Sequence, residues 1–215
     1  DRPAPEDRPD IPPAEAPLGV ETGNISRAEI RKALKSVKNG KASGCDQIPA
    51  EALKEGGEVS VSMMHSLLNR LWTEERIPKD WKQGRLVKEG DLTKCNNWRG
   101  IMLLSTASKI LTRILLNRIA GAVESQLRDN QAGLRPNRSC CDQIATLRII
   151  VEQSVEFNSQ LYATFIDFEK AFDSVDRETM WRLLAHYGIP DKVIRIIKLF
   201  YENFEAQVMH DGDLS

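Results

Sequence analysis

A short apolar run that ends in a carboxylate is the feature that most constrains this sequence. Residues 160–168 are predicted to form a β-strand with the apolar centre Ala163-Thr164-Phe165-Ile166, and Asp167 follows directly. Burying a carboxylate costs free energy unless a cation, a hydrogen-bond donor or water balances it. Asp167 is therefore a candidate metal ligand, although a turn cap or an ion pair with Lys170 would satisfy the same requirement.

The composition indicates a protein with a substantial core and no membrane segment. Hydrophobic residues make up 41% of the 215 residues, and no run approaches the roughly 20 apolar residues that cross a bilayer. The four cysteines show no C-x-x-C spacing, which favours reduced thiols. We therefore expect an intracellular protein.

The near-neutral net charge hides an uneven distribution along the chain. Residues 1–24 carry six acids and two arginines, whereas residues 76–148 carry 14 Lys/Arg against 6 Asp/Glu, a net of +8. Such a basic stretch could follow a polyphosphate backbone, because cationic side chains gain free energy by releasing condensed counterions. Solvated helix faces are the alternative explanation of the same charges.

Hydrophobic periodicity and capping patterns predict a helix-rich α+β chain. Helices are predicted to start at Ser26, with its capping-box partner Glu29, at Pro49 (to Glu55), at Ser105 or Ser108 (to about Leu127), after Ser139, after Asp176, and at Asp191 (to about Asn203). A further helix is predicted around Met63–Trp72, between the helix that starts at Pro49 and the one that starts at Ser105 or Ser108. Strands are predicted at Gly84–Val87, Ile101–Leu104, Gln160–Phe168 and from Glu205 to His210.

Five of these helices carry an apolar stripe that predicts a buried face. The stripes are Ile30, Ala33, Leu34 and Val37; Met63, Met64, Leu67, Leu68, Leu71 and Trp72; Ile110, Leu111, Ile114, Leu115, Ile119 and Val123; Ile144, Leu147, Val151 and Val155; and Met180, Leu183, Leu184 and Tyr187. The proline-rich residues 1–24 contain almost no large apolar side chain and are predicted to be a disordered linker.

Four sequence motifs occur in order along the chain, and the last of them is Phe165-Ile-Asp-Phe-Glu-Lys-Ala-Phe-Asp173, followed by Val175-Asp-Arg-Glu-Thr-Met-Trp181. This motif resembles the first catalytic motif of reverse transcriptases from non-long-terminal-repeat (LINE-type, RTE-like) retrotransposons. Residues 38–44, residues 90–92 with 97–101, and residues 129–136 resemble the preceding motifs of that family. The resemblance covers about residues 25–215.

The resemblance implies an incomplete right-hand polymerase fold with fingers and part of the palm. Residues 25–80 would be a helical N-terminal extension, and residues 81–215 the fingers and first part of the palm. The implied reaction adds deoxynucleoside triphosphates to a DNA primer on an RNA template, with two Mg²⁺ ions. An endonuclease domain in the full-length polyprotein and a location in cytoplasm and nucleus are implied in the same way.

The same resemblance assigns roles to individual residues. Asp167 and the carbonyl of Phe168 would contact metal, and Phe172 would abut the sugar and select deoxynucleotides. Its alternative is ordinary core packing. Arg99 would approach the incoming triphosphate, since a guanidinium offers a fixed fork of donors, but alone it is only a surface arginine. Further nucleotide or template contacts are implied for Gln131, Gly133 and Arg135, unless Gly133 simply shapes a turn.

Two departures from the family pattern limit these expectations. The stretch from Gly84 to Glu89 is shorter than usual, so we expect a distorted fingers hairpin and give Lys88 no role; Leu134 stands where an aromatic is common. The sequence also contains no Tyr-x-Asp-Asp motif to supply the other catalytic carboxylates. We expect the chain alone to be inactive; a non-catalytic nucleic-acid-binding remnant or a degenerate copy are the alternatives.

Overall fold

The computed structural model describes residues 7–41, 43–44, 46–88, 98–99, 104–168, 171–210 and 213–214, and within them the chain is helix-rich. Seven α-helices occur in this part: α1 (Arg27–Ser36), α2 (Ala50–Glu55), α3 (Gly57–Glu74), α4 (Thr106–Val123), α5 (Cys140–Glu156), α6 (Arg177–His186) and α7 (Asp191–Tyr201). Short 3₁₀ turns lie at Lys79–Lys82, Glu124–Gln126 and Ala171–Ser174.

The helix starts confirm the capping predictions. Ser26 and Glu29 form the predicted capping box at α1, with Glu29 N–H donating to Ser26 Oγ and Ser26 N–H donating to a Glu29 carboxylate oxygen. Ser105 caps α4, Ser139 forms a capping box with Asp142 at α5, and Asp176 caps α6. These local hydrogen bonds satisfy backbone N–H groups that have no partner within the helix.

One hydrophobic cluster holds most of the helices together. Fully buried side chains from α1, α3, α4 and α7 meet there, and they are Ile30, Leu68, Trp72, Ile110, Leu111, Ile114, Val193 and Ile196. Helix α1 packs against both α3 and α4. The cluster contains residues both from the predicted N-terminal extension, residues 25–80, and from residues 81–215. Among the described helices, none is long and apolar enough to cross a membrane.

Residues 8–24, which we call the N-terminal strap, correct the prediction of a disordered linker. The strap has no regular helix or strand, yet Val20 is buried and several of its backbone groups are hydrogen-bonded to the folded body. Trp72 donates its indole N–H to the Thr22 carbonyl at 3.0 Å, and Ala14 N–H donates to the Ala185 carbonyl at 3.0 Å. Its prolines favour an extended chain, which can lie along a surface without internal hydrogen bonds.

Four short strands pair in the order β2-β1-β3-β4, where β1 is Gln83–Lys88, β2 Trp98–Arg99, β3 Glu205–His210 and β4 Asp213–Leu214. Strand β1 pairs antiparallel with β2 and parallel with β3, with Leu86 opposite Val208. The predicted strands near Gly84 and at Glu205–His210 are confirmed. For the predicted strand Ile101–Leu104, residues 101–103 lie outside the described residues; the antiparallel partner of β1 among the described residues is Trp98–Arg99.

The predicted strand Gln160–Phe168 is wrong in this structure. Residues 159–168 have no regular secondary structure, and Phe165 and Ile166 are 82% and 75% exposed. A strand needs a neighbour for its backbone N–H and C=O groups. The sheet that the described residues form does not include this segment, so its backbone has no strand neighbour there.

The stripes on three helices were predicted only in part correctly. Helix α5 has no buried residue, and the predicted stripe Ile144, Leu147, Val151 and Val155 is exposed. In α3, Met64, Leu68, Leu71 and Trp72 are buried but Met63 is exposed, and in α6 the buried residue is Trp181, whereas Leu183 and Tyr187 are exposed. Periodicity identifies an apolar face, but burial also requires a packing partner.

Candidate active site

Asp167 lies in the exposed, irregular segment of residues 159–168, which we call the Asp167 segment and which precedes helix α6 in the chain. Its side chain is exposed, as are the rings of Phe165 and Phe168 on either side. The alternative ion pair with Lys170 lies outside the described residues. An exposed carboxylate in an irregular segment is accessible to solvent and to a ligand, and no buried contact among the described residues fixes its orientation.

Phe172 is also exposed rather than packed in the core. It lies in the 3₁₀ turn Ala171–Ser174, and 83% of its surface is accessible to solvent. The core-packing alternative for this ring is therefore wrong in this structure. Asp176 follows two residues after the turn and caps α6, so the segment has a fixed point at its C-terminal end.

An ion pair that was not predicted from the sequence holds the start of helix α6, which follows this turn. Arg8 donates to both carboxylate oxygens of Asp176, at 3.0 and 3.1 Å, while Asp176 also accepts from the Thr179 N–H at 2.9 Å and from the Thr179 hydroxyl. The hydrogen bonds from Arg8 and Thr179 hold the pKa of Asp176 well below its ordinary value. Since 168 positions separate Arg8 from Asp176, no local pattern signals this pair.

Residues 128–138 form a turn that is organised by Arg135. Its guanidinium donates to Glu124 Oε1 at 2.9 Å and to the Arg128 carbonyl at 2.8 Å, and its side chain is only 5% exposed. Gln131 donates its side-chain amide to the Gly133 carbonyl at 3.0 Å. These contacts hold the Arg135 side chain within the turn, and its expected approach to nucleotide or template stays a prediction.

Arg99 lies on strand β2, where it is opposite Val87 of β1. This antiparallel pairing joins β1 to Trp98–Arg99, whereas the partner predicted for the Gly84 strand was Ile101–Leu104. Among the described side chains, no hydrogen bond or ion pair joins the turn at residues 128–138 to the Asp167 segment. The candidate residues therefore occupy separate elements.

The described residues do not by themselves form a metal site. No group of three or more His, Cys, Asp or Glu side chains among them could hold an ion. A hard cation such as Mg²⁺ takes several oxygen ligands, and Asp167 offers one carboxylate.

A pocket that the sequence did not predict lies apart from Asp167. An open apolar pocket of about 370 Å³ lies between helices α4 and α7. Its lining consists of Leu104, Thr112, Leu115, Leu116, Ile119, Arg177, Ile197, Phe200, Tyr201 and Phe204. Arg177 stacks over the Tyr201 ring at 5.3 Å. The lining comes from positions 104 to 204, so only the fold brings it together.

Comparison with known proteins connects this arrangement to a family. Residues 82–213 match the family described as reverse transcriptase (RNA-dependent DNA polymerase), a stretch that includes Arg99, Gln131, Gly133, Arg135, Asp167 and Phe172.

Three relatives illustrate the match. The chain is 25% identical over 194 residues to the transposon TX1 uncharacterized 149 kDa protein of Xenopus laevis, covering 89% of this chain and 15% of that protein. It is 28% identical over 189 residues to a probable RNA-directed DNA polymerase from transposon BS of Drosophila melanogaster, covering 85% and 20%. It is 27% identical over 170 residues to the retrovirus-related Pol polyprotein from the type-1 retrotransposable element R2 of Popillia japonica, covering 78% and 23%.

The chain thus spans 15 to 23% of the length of these relatives. Their names agree with the retrotransposon resemblance of the four motifs, while the RTE-like subtype remains a prediction. The family match covers well over half of the chain and includes the segment that bears Asp167. The chain belongs to the reverse transcriptase (RNA-dependent DNA polymerase) family.

Proposed function

We propose that this chain forms the fingers and the first part of the palm of an RNA-directed DNA polymerase from a non-long-terminal-repeat retrotransposon. The observation that carries the proposal is the family match over residues 82–213, within which Asp167 and Phe172 are both exposed to solvent. Residues 25–80 would be a helical extension of that polymerase. The substrates would be an RNA template, a DNA primer and deoxynucleoside triphosphates.

Each candidate residue has a role in this proposal. Asp167 would supply one oxygen ligand for a divalent cation, with the Phe168 carbonyl nearby, and Mg²⁺ suits such hard donors. The exposed Phe172 ring would meet the sugar of the incoming nucleotide. Arg99 would donate to its triphosphate, and Gln131 and Gly133 would border the template. Arg135 would act indirectly, by holding their turn through its bond to Glu124.

We also propose that the 215 residues do not extend a primer by themselves. Asp167 is one carboxylate, and the described residues bring no further ligands to it. Additional carboxylates would come from a longer protein, which could also carry an endonuclease domain. Such a protein would act in the cytoplasm and nucleus, where its template RNA and target DNA are found.

Template-directed primer extension by the full-length protein tests this function. The protein would be incubated with a DNA primer on an RNA template, Mg²⁺ and one deoxynucleoside triphosphate at a time. We expect incorporation only of the nucleotide complementary to the template base, and little incorporation of the matching ribonucleotide.

Two results would contradict the proposal. Incorporation that ignores the template base would exclude a template-directed polymerase. Binding of primer–template that weakens steeply with salt, in a full-length protein that never extends the primer, would favour the non-catalytic remnant instead. Four arginines of the basic stretch, Arg118, Arg135, Arg138 and Arg148, already pair with acids of this chain, which reduces the charge available for that alternative.

A further inference from the structure

The N-terminal strap, residues 8–24, is fastened to the folded body at both ends. At its C-terminal end, Arg118 of α4 donates to the carbonyls of Glu21, Gly23 and Asn24 at 3.2, 3.0 and 3.2 Å. Trp72 of α3 donates to the Thr22 carbonyl in the same region. These donors come from two core helices, so this end of the strap is anchored to the hydrophobic cluster.

The other end of the strap is bonded to helix α6. Besides the bidentate bond from Arg8 to Asp176, the strap contacts the C-terminal end of α6 through three bonds. Ala14 N–H donates to the Ala185 carbonyl, Leu18 N–H donates to the Gly188 carbonyl at 2.6 Å, and the His186 ring lies 2.8 Å from the Pro12 carbonyl. The strap therefore follows α6 from its first turn to the residues just beyond its end.

Gly188 explains how the strap comes so close to the end of α6. Its φ of +77° is in the left-handed region, and a Cβ there would lie 3.2 Å from the Ala16 carbonyl oxygen and from Leu18 N. Glycine alone accepts that backbone angle without strain and leaves this space to the strap.

Asp176 has two separable tasks at this place. One oxygen accepts from the N–H and hydroxyl of Thr179 and thereby caps α6, while both oxygens accept from Arg8. The turn that bears Phe172 ends two residues earlier, and the Asp167 segment lacks strand partners among the described residues. Among the hydrogen bonds of the described residues, the bond from Arg8 to Asp176 is the long-range one nearest to this turn.

We infer that the strap is an internal clasp, and that Arg8 is a positioning residue that fixes where the Asp167 segment joins helix α6. The clasp itself follows from the contacts above. Its importance for catalysis rests on the proposed function, because only a polymerase would use Asp167 and Phe172.

Hydrogen exchange of the 215-residue chain tests the clasp without any need for activity. We expect Arg8→Ala to speed amide exchange in residues 171–180 by about twofold to fivefold, as for a partly exposed ion pair. Arg8→Lys should restore part of the protection. The matched control is Arg31→Ala, which removes an equally bidentate pair with Glu58 at α1 and α3 and should leave residues 171–180 unchanged.

A double-mutant cycle separates the clasp from the helix cap. Asp176→Asn keeps a capping oxygen, since asparagine is a good N-cap residue, but loses the charge that pairs with Arg8. The double variant should exchange no faster than the faster single variant. Fully additive effects, or exchange in residues 171–180 that is the same for Arg8→Ala and Arg31→Ala, would overturn the clasp.

The exchange result and the primer-extension result are independent. Altered exchange together with a full-length protein that never extends a primer would reject the polymerase proposal and retain the clasp. Unaltered exchange together with template-directed extension would reject the clasp and retain the polymerase.

Discussion

Replacement of Arg118 by alanine should be among the most destabilising single changes in this chain. Its side chain is 4% exposed, and its guanidinium contacts both carboxylate oxygens of Glu29, at 2.6 and 3.0 Å. It also donates to three carbonyls of the strap and lies 5.0 Å from the centre of the Trp72 ring. Alanine would remove all of these contacts at once.

The expected cost follows from what remains unpaired. Removing one partner of a fully buried ion pair costs about 3–5 kcal/mol. The Glu29 side chain is 30% exposed and still accepts hydrogen bonds from Ser26, so water and serine offset part of that loss. We therefore expect Arg118→Ala to lower the free energy of unfolding by about 2–4 kcal/mol.

Urea denaturation at pH 7, followed by tryptophan fluorescence, measures this change. The control is Arg31→Ala, whose pair with Glu58 is exposed on both sides and should leave the urea midpoint unchanged within error. A loss below about 1 kcal/mol for Arg118→Ala, or equal midpoints for the two variants, would refute the view that Arg118 joins the strap to the core.

Three further predictions concern other parts of the chain. A Cβ on Gly44 would lie 2.6 Å from the Ser105 backbone, so Gly44→Ala should lower the thermal midpoint. A Cβ on Gly121 of α4 would meet nothing within 4 Å, so Gly121→Ala should raise the free energy of unfolding by about 0.5–1 kcal/mol. Burial is the largest single influence on the pKa of Glu29, and it raises that pKa. Hydrogen bonds from Arg118 and Ser26 together outweigh burial and lower the pKa of Glu29 to about 2. Because the folded pKa lies below the unfolded value, the stability from this group is present above about pH 4.3 and lost as pH falls towards 2, and Arg118→Ala should flatten that part of a pH titration of urea midpoints. Phe165→Ser should reduce binding of an apolar fluorescent dye without changing the urea midpoint, because the ring is 82% exposed; a large loss of stability would contradict that exposure.

Local patterns in the sequence predicted the helices well. The capping boxes at Ser26 and Ser139 and the cap at Asp176 each depend on residues three positions apart, and all three are present. Such signals need no knowledge of the rest of the fold.

Features that depend on distant partners could not be predicted in the same way. The run Gln160–Phe168 has the composition of a strand, but pairing requires a neighbour, and in this structure β1 and β3 pair with each other and with short outer strands. The strap was predicted to be a linker because it is rich in prolines and charges. Its contacts with the core are made by backbone carbonyls, which accept from Arg118 and Trp72, and no side-chain pattern signals such contacts. The hydrogen bond from Arg135 to Glu124 spans 11 positions, so no local motif predicts it.

Single-nucleotide incorporation by the full-length protein carrying Asp167→Asn tests the central claim most directly. The asparagine keeps the size of the side chain but removes the charge that would hold a divalent cation. Compared with Asp10→Asn, which neutralises another exposed carboxylate, we predict that Asp167→Asn lowers the incorporation rate at saturating nucleotide by at least about 100-fold. Equal rates for the two variants would show that Asp167 is not a ligand in the reaction centre.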